Sequence, residues 1–258
     1  MNILVTGGSG ALGRNVVEGL LESGHRARVL SRRARDSDDW VRGDLSTGAG
    51  LEAAVTDIDA IVHAASATVE QGKLHATDVL GTRRLLAMAH EAGVRHAVYV
   101  SIVGIDDVAN PYYKSKLAAE AVMRENIVPW SILRATQFHT YMEIILGNFS
   151  KVPRLTTLPF KWQFQPVDTH DVSARLVDLI TNEPAGMLPD FGGPEVRELK
   201  SIAESWLEAR GLKNRLINMP IPLKASRLVA EGRLTCPDHK DGTITFEQYL
   251  DRRYPKQP

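Results

Sequence analysis

A doubly wound α/β fold, with one parallel sheet covered by helices on both faces, is what this 258-residue sequence predicts. Three observations carry that prediction. Short apolar stretches without polar alternation take turns with segments of helical periodicity. The first such stretch runs straight into a glycine cluster and then a helix, in MNILVTGGSGALG. Later strands end in small or polar residues, where open parallel sheets place their ligands.

Residues 2–6 are mostly β-favouring, as in a strand covered on both faces. The glycines that follow fit two spacings. Gly8, Gly10 and Gly13 make G-x-G-x-x-G, and Gly7, Gly10 and Gly13 make the looser G-x-x-G-x-x-G. Either way, residues without a Cβ allow a tight turn, bring backbone N–H groups to a pyrophosphate and let the next helix pack close. Gly7, Gly8, Ser9, Gly10, Ala11 and Leu12 are therefore the expected phosphate contacts of a dinucleotide site. Leu12, Val16, Val17, Leu20 and Leu21 form the expected inward stripe of the helix, Gly24 ends it, and 27–30 reads as the second strand. Strand, glycine turn, helix and strand together define a Rossmann-type dinucleotide fingerprint.

Composition bounds the rest. Lys+Arg 31 balance Asp+Glu 31, so no overall field recruits nucleic acid or an acidic membrane surface. The length suits one dinucleotide-binding domain, with a core over about 1–135 and a small substrate lobe mainly in 136–165 and 186–258. A single cysteine, Cys236, excludes an intramolecular disulfide and suits a reducing compartment, so the cytoplasm is the expected location. No leader, no membrane-length apolar run and no metal-ligand spacing around Cys236 is read.

Where an NAD-specific site is expected to place an acid on the ribose 2′-hydroxyl, this chain has Ser31, Arg32 and Arg33. Guanidinium forks suit a 2′-phosphate, so NADP(H) is favoured, with NAD(H) as the alternative; the bland reading makes Arg32, Arg33 and Arg35 solvated loop charges. Trp40 and Val41 lead a third strand into Gly43, Asp44 and Leu45 near the adenine. Asp44 is placed either to accept from the adenine amino group or to cap a helix starting near Gly50. Residues 59–62 form the fourth strand, and Ala64, Ala65 and Ser66 after it permit close approach of a ribose. His63 reads as a packed, hydrogen-bonded residue. A helix over 79–92, stopped by Gly93, leads to the fifth strand at 96–101.

Ser101 ends that strand, and Tyr112 and Lys116 follow at a spacing of four, one turn apart on one helix face. There an ammonium lowers the phenol's pKa and reaches a ribose, the phenol exchanges a proton with a carbonyl oxygen, and Ser101 polarises that oxygen. Tyr113 lacks a lysine four residues on and is expected to pack.

These residues resemble a short-chain dehydrogenase/reductase of the extended and atypical branch that contains the NmrA-like NAD(P)-binding proteins. The motifs are TGGSGALG at 6–13, GDL at 43–45, HAAS at 63–66, GTRRLL at 81–86, VYVS at 98–101, PYYKSK at 111–116, PWSILRATQF at 129–138 and QPVDTHDV at 165–172. The resemblance implies a triad: Ser101 as polariser, Tyr112 as acid/base, Lys116 as ribose anchor and pKa tuner. It also implies one departure: extended members carry Asn where this chain has Asp78. The implied activity is NADP(H)-dependent reduction of a small carbonyl, quinone or conjugated acceptor. The rivals are a dinucleotide sensor without turnover and an NAD-dependent epimerase or isomerase.

In the last third, 129–133 is the sixth strand, and the loop after it makes Gln137, Phe138, His139 and Tyr141 substrate-pocket candidates. Residues 152–164 break the rhythm and read as an irregular cover of the active site. A short strand at 165–167, a helix at 168–180 capped from within Asp168, Thr169 and Asp171, an amphipathic helix ending at Gly211, an extended edge at 219–223, a helix at 225–231 and a last short helix near 245–250 complete the chain. The expected partner is a small molecule, with the protein a monomer or homodimer.

Overall fold

The computed structural model describes residues 1–33, 35–67 and 71–255. In chain order the elements begin with β1 (Asn2–Thr6), α1 (Ala11–Glu22), β2 (Arg26–Ser31), β3 (Trp40–Arg42), α2 (Leu51–Val55), β4 (Ala60–His63) and α3 (Gly81–Glu91). They continue with β5 (His96–Ile102), α4 (Pro111–Arg124), β6 (Trp130–Ala135), α5 (His139–Phe149), β7 (Leu155–Leu158), β8 (Gln163–Phe164) and α6 (Thr169–Thr181). The last are β9 (Gly186–Met187), β10 (Arg197–Glu198), α7 (Leu199–Ala209), β11 (Arg215–Asn218), α8 (Lys224–Ala230) and α9 (Phe246–Arg253). Two compact units divide them. Met1–Ser101, Asn110–Arg134 and Val172–Pro189 form the first, and Ile102–Ala109, Ala135–Asp171 and the chain from Asp190 onward form the second.

The first unit is built on a seven-stranded parallel sheet of order β3-β2-β1-β4-β5-β6-β9. The winding reverses between β1 and β4, where Thr6 pairs with His63. Ligands of open α/β sheets sit beyond the strand ends at such a reversal. One face of the sheet packs Leu4, Leu30, Ile61, Tyr99 and Ile132 against Leu51, Leu85, Leu86, Ala119 and Met123 of α2, α3 and α4. Val16 and Leu20 of α1 and Val172 and Leu176 of α6 are sealed from solvent as well, and Gly19 lets the two helices approach at Val177. Each fully buried aliphatic side chain contributes roughly 1.5–3 kcal/mol.

The structure departs from expectation in four places. Leu21 is 55% exposed while its neighbour Leu20 is fully buried, because successive helical residues point about 100° apart and the stripe holds only one of them. The helix expected at 79–92 begins instead as a π-helix, His75–Leu80, that runs into α3. The stretch 152–164 is no irregular cover: it contributes β7, parallel to β11, and β8, antiparallel to β10. The short strand expected at 165–167 is displaced to β8, leaving Val167 in a single bridge to Phe138. The helix cap was legible: Asp168 Oδ1 accepts from the His170 amide at 2.9 Å at the start of α6.

In the second unit Leu146 of α5, Leu158 of β7, Phe164 of β8, and Ile202 and Trp206 of α7 are buried. Glu143 of α5 draws in the C-terminal helix, accepting from the Tyr249 hydroxyl at 2.5 Å, the Tyr254 hydroxyl and the Trp206 indole. Among the described residues no helix is long and apolar enough to cross a membrane.

Candidate active site

The glycine turn is shaped by backbone contact. Gly7 has φ +70°, and a Cβ there would lie 2.8 Å from the Ala65 nitrogen, so this turn and the Ala64–Ala65 chain meet backbone to backbone. A Cβ on Gly13 would fall 2.2 Å from the Gly7 carbonyl oxygen, which is why α1 can rest directly on the turn. Gly8 sits against the Val29 side chain of β2. Both spacings are thus in use: Gly7 makes the turn and Gly8 the packing. Gly10 caps α1 with no side-chain hydrogen bond, and no acidic residue lies in the first helical turn. With Ser9 and Gly10 exposed, the positive end of a three-turn helix opens toward solvent with no carboxylate to repel an anion. A dinucleotide pyrophosphate fits this cradle.

At the end of β2, Ser31 is buried and its Oγ accepts from the Arg33 amide at 3.2 Å, while Arg32 and Arg33 project outward. Arg35 lies over the Trp40 ring, 4.6 Å from its centroid. Asp44 does not cap the next helix, since Gly50 holds the cap of α2 without a side-chain bond. Its Oδ1 instead accepts from the Ser46 amide at 2.8 Å and hydroxyl at 2.7 Å, closing its own loop. Burial raises the Asp44 carboxyl, but Ser46, Arg32 and Lys73 outweigh it and leave the pKa below the ordinary carboxylate value. Leu45 turns its side chain into the core. Ala64, Ala65 and Ser66 are half-buried beyond β4.

His63 is a structural residue, joined into a hydrogen-bond chain whose direction can be assigned. Thr82 Oγ1 donates to the Asp78 carbonyl at 2.5 Å, so toward His63 it accepts, and His63 Nε2 at 2.9 Å carries the proton. Nδ1 then accepts from the Thr6 hydroxyl at 2.6 Å, and Thr6 Oγ1 accepts from the Ala65 amide at 3.2 Å. Burial, then the nearby Lys116 charge, push the imidazole pKa down to about 3. It is neutral at any working pH, which suits a brace and not a base.

Asn110 and Pro111 fix the start of α4: the Asn110 side chain accepts from the Tyr112 amide at 2.8 Å, and Pro111 occupies the first helical position. Tyr112 is half-buried in that first turn, with its ring 5.9 Å from Tyr113, which is buried. One turn on, Lys116 is 4% exposed. Its Nζ donates to the Val100 carbonyl at 2.5 Å and sits 4.0 Å above the Tyr99 ring. Burial pushes the ammonium pKa down to about 8, against the upward pull of Asp78 and Glu120. Ser101, at the end of β5, is 2% exposed, and its Oγ has no hydrogen-bond partner among the described residues. A buried hydroxyl with no donor or acceptor is uncommon in a purely structural position.

The sequence reading missed two neighbours of this group. Tyr99 lies two residues before Ser101 on β5, hence on the same face, and an aromatic hydroxyl in an aliphatic strand was the available signal. Glu120 stands four residues after Lys116; fully buried, it accepts from Arg134 of β6 through Nε and Nη2, both at 2.8 Å. Asp78, a carboxyl where an amide was the expected type, lies on the π-helix packed against α4, and its charge acts on Lys116.

The pocket candidates lie in the second unit. Gln137 is buried and donates to the Leu234 carbonyl at 3.0 Å, and its Oε1 has no hydrogen-bond partner among the described residues. Phe138 caps α5 and is half-buried, His139 is buried against Phe246 and Tyr249, and burial raises the Tyr141 phenol. This unit also holds an open groove of about 510 Å³, lined by Phe160, Trp162, Pro220, Ile221, Pro222 and Leu223 with Lys161 and Lys224 among its other walls, and none of the candidates lines it. Cys236 is buried, its thiol pushed by burial up to about 12, and no cluster able to hold a metal occurs among the described residues.

Reversed winding at a glycine turn, with a buried serine at the end of β5 and a buried lysine on α4, is the arrangement of a dinucleotide-binding α/β protein. The comparisons are more specific. A family model described as NAD(P)H-binding matches residues 7–183, and the chain belongs to that family. It is 37% identical over 110 residues to a putative dihydroflavonol 4-reductase of Synechocystis, covering 38% of this chain and 32% of that protein. It is 27% identical over 250 residues to the ceramide reductase of Caulobacter vibrioides, covering 88% of this chain and 77% of that one. The match thus spans about a third of the first relative and about three quarters of the second. In structure it is similar to a short-chain dehydrogenase/reductase superfamily protein of Agrobacterium tumefaciens with bound NAD, with TM-score 0.74, 20% identity and coverage of 98% and 95%.

Proposed function

We propose that this protein is a cytoplasmic NADP(H)-dependent reductase, monomeric or homodimeric, acting on a small carbonyl, quinone or conjugated acceptor. The observation that carries the reading is the buried Lys116 one helical turn from Tyr112, beside a buried Ser101 hydroxyl with no partner among the described residues. The dinucleotide would be held by Gly7, Gly8, Ser9, Gly10, Ala11 and Leu12 at its pyrophosphate, Ser31, Arg32 and Arg33 at its 2′-phosphate, Asp44 and Leu45 at its adenine, and Ala64, Ala65, Ser66 and Lys116 at its riboses. When bound, its reduced nicotinamide supplies a hydride.

The chain's own residues supply the rest. The Ser101 hydroxyl donates to the acceptor oxygen and stabilises the negative charge that develops there. The Tyr112 phenol gives that oxygen its proton. The Lys116 ammonium favours the phenolate that results. Gln137, Phe138 and Tyr141 are assigned to the acceptor pocket. NADP(H) is preferred because Ser31 ends β2 where an acid would oppose a 2′-phosphate, and Arg32 and Lys73 already act together on Asp44.

The test is oxidation of NADPH and NADH, side by side, over aldehydes, ketones and quinones, with wild type and Tyr112→Phe. The expected result is NADPH turnover that falls by roughly 10²–10⁴-fold in the variant. Turnover that survives the substitution would remove Tyr112 from the chemistry. Tight NADPH binding with no turnover would favour a sensor.

A further inference from the structure

Asp78 is not accounted for by binding or by folding. Its side chain is 1% exposed; Oδ2 accepts from the Ala67 amide at 3.3 Å, and Oδ1 has no hydrogen-bond partner among the described residues. An anionic oxygen sealed from water is unfavourable unless a charge compensates it. The π-helix that carries Asp78 packs against α4, which carries Lys116. Wide turns of this kind inside helices recur at functional positions, because they re-aim a side chain.

The titratable groups around Lys116 come from every neighbouring element. From β4 comes His63, both of whose ring nitrogens are engaged, by Thr6 and Thr82. Tyr99 of β5 lies beneath the ammonium, and burial, followed by Asp78, Tyr112 and Glu120, keeps its phenol neutral. On α4 itself, Tyr112 is the proposed acid, and Glu120 has its charge matched by Arg134 at 2.8 Å and Arg124 at 3.6 Å. Asp78 is the remaining carboxyl, and no guanidinium pairs with it among the described residues; burial raises its pKa, against the downward pull of the Ser66 side chain, the Lys116 charge and the Ala67 amide.

We propose that the Asp78 carboxylate is the counter-charge that keeps the buried Lys116 an ammonium, so that Asp78 acts on Tyr112 through Lys116 as a positioning residue. This rests on the reading of Tyr112 and Lys116 given above. Its consequence is that an amide at this position supports Lys116 less well than the acid does. Burial already pulls the lysine down, and only opposed anions resist that pull.

The experiment is an NMR titration of the Lys116 side chain in cofactor-free, full-length protein carrying ¹³C-lysine, with the resonance assigned from Lys116→Arg. In Asp78→Asn the midpoint should drop by about one pH unit or more, and in Asp78→Glu it should stay near wild type. A midpoint in Asp78→Asn within about 0.2 unit of wild type, less than a third of a kcal/mol, overturns the proposal. The alkaline decline of NADPH-dependent reduction should begin at lower pH in Asp78→Asn than in wild type. Should Asp78→Asn not fold, wild-type protein decides through the Asp78 ¹³Cγ signal: a carboxylate at neutral pH supports the pairing, and a neutral acid there overturns it. Absence of turnover in wild type would instead sink the reductase reading, and the titration would still decide the role of Asp78.

Discussion

Two buried polar regions of the sheet-bearing unit follow opposite rules. Around His63 the hydrogen bonds run in one direction, from the Ala65 amide through Thr6, the imidazole and Thr82 to the Asp78 carbonyl. Around Lys116, Asp78 Oδ1, Tyr99 Oη and Ser101 Oγ have no hydrogen-bond partner among the described residues. Buried polar atoms are nearly always paired, so the closed region reads as a brace between β1, β4 and α3, and the open one as a place prepared for chemistry. Asp78 belongs to both, closing the first with its carbonyl and opening onto the second with its carboxyl. The distinction matters because a histidine and a lysine this close in space invite a shared catalytic role. The hydrogen-bond directions commit both ring nitrogens of His63 to the brace.

Breaking the ion pair behind the open region should have the largest effect. Glu120→Ala removes both hydrogen bonds that Glu120 accepts from Arg134, which is only 13% exposed, and should cost roughly 3–5 kcal/mol in urea unfolding. It should also remove one of the two anions that support Lys116, lowering turnover in whatever fraction stays folded. A paired comparison sharpens the contrast. Ser101→Ala should lower kcat by roughly 10²-fold, as loss of one oxyanion donor does, while changing stability by less than about 0.5 kcal/mol, because its hydroxyl gives up no bond among the described residues. Thr82→Val should do the reverse, losing about 1–3 kcal/mol of stability by stranding the His63 Nε2 proton. Equal effects on both properties from both variants would dissolve the distinction between brace and active site.

Per pH unit, the smallest effect is a slope in stability. Because burial holds the folded imidazole of His63 near 3, below its ordinary 6.5, the unfolded chain binds the proton first. The His63 contribution is therefore complete above 6.5 and is lost as pH falls from there toward 3, at up to about 1.4 kcal/mol per pH unit. Urea midpoints measured along that range should show the slope, and His63→Gln should flatten it.

Much of this was legible in the residues. The run from Asn2 to Gly13 required a strand, a turn and a close-packed helix, because only residues without a Cβ pass where Gly7 meets Ala65 and Gly13 meets Gly7. The Tyr112 to Lys116 spacing likewise required one helix face, given the cap at Asn110. Other features were hidden for physical reasons. Residues 152–164 became strands because 215–218 and 197–198 lie alongside them, and pairing across such separations leaves no local periodicity. Asp44 was weighed as a helix cap, and its loop closed on Ser46 first, since the nearest donors were two residues away.

Sequence alone determined the kinds of group present and their order along the chain: a glycine cradle after a buried strand, a serine at a strand end, a phenol and an amine one helical turn apart. Those follow from sterics and helical periodicity, which act over a few residues. Only the tertiary structure decided which of those groups are charged and which are satisfied. Lys116, Asp78 and His63 come from two helices and a strand, and their protonation depends on burial and on charges brought together across the fold. Local sequence cannot encode that, because electrostatic free energy is set by distance and by exclusion of water, and both are fixed only when the sheet and its helices have packed.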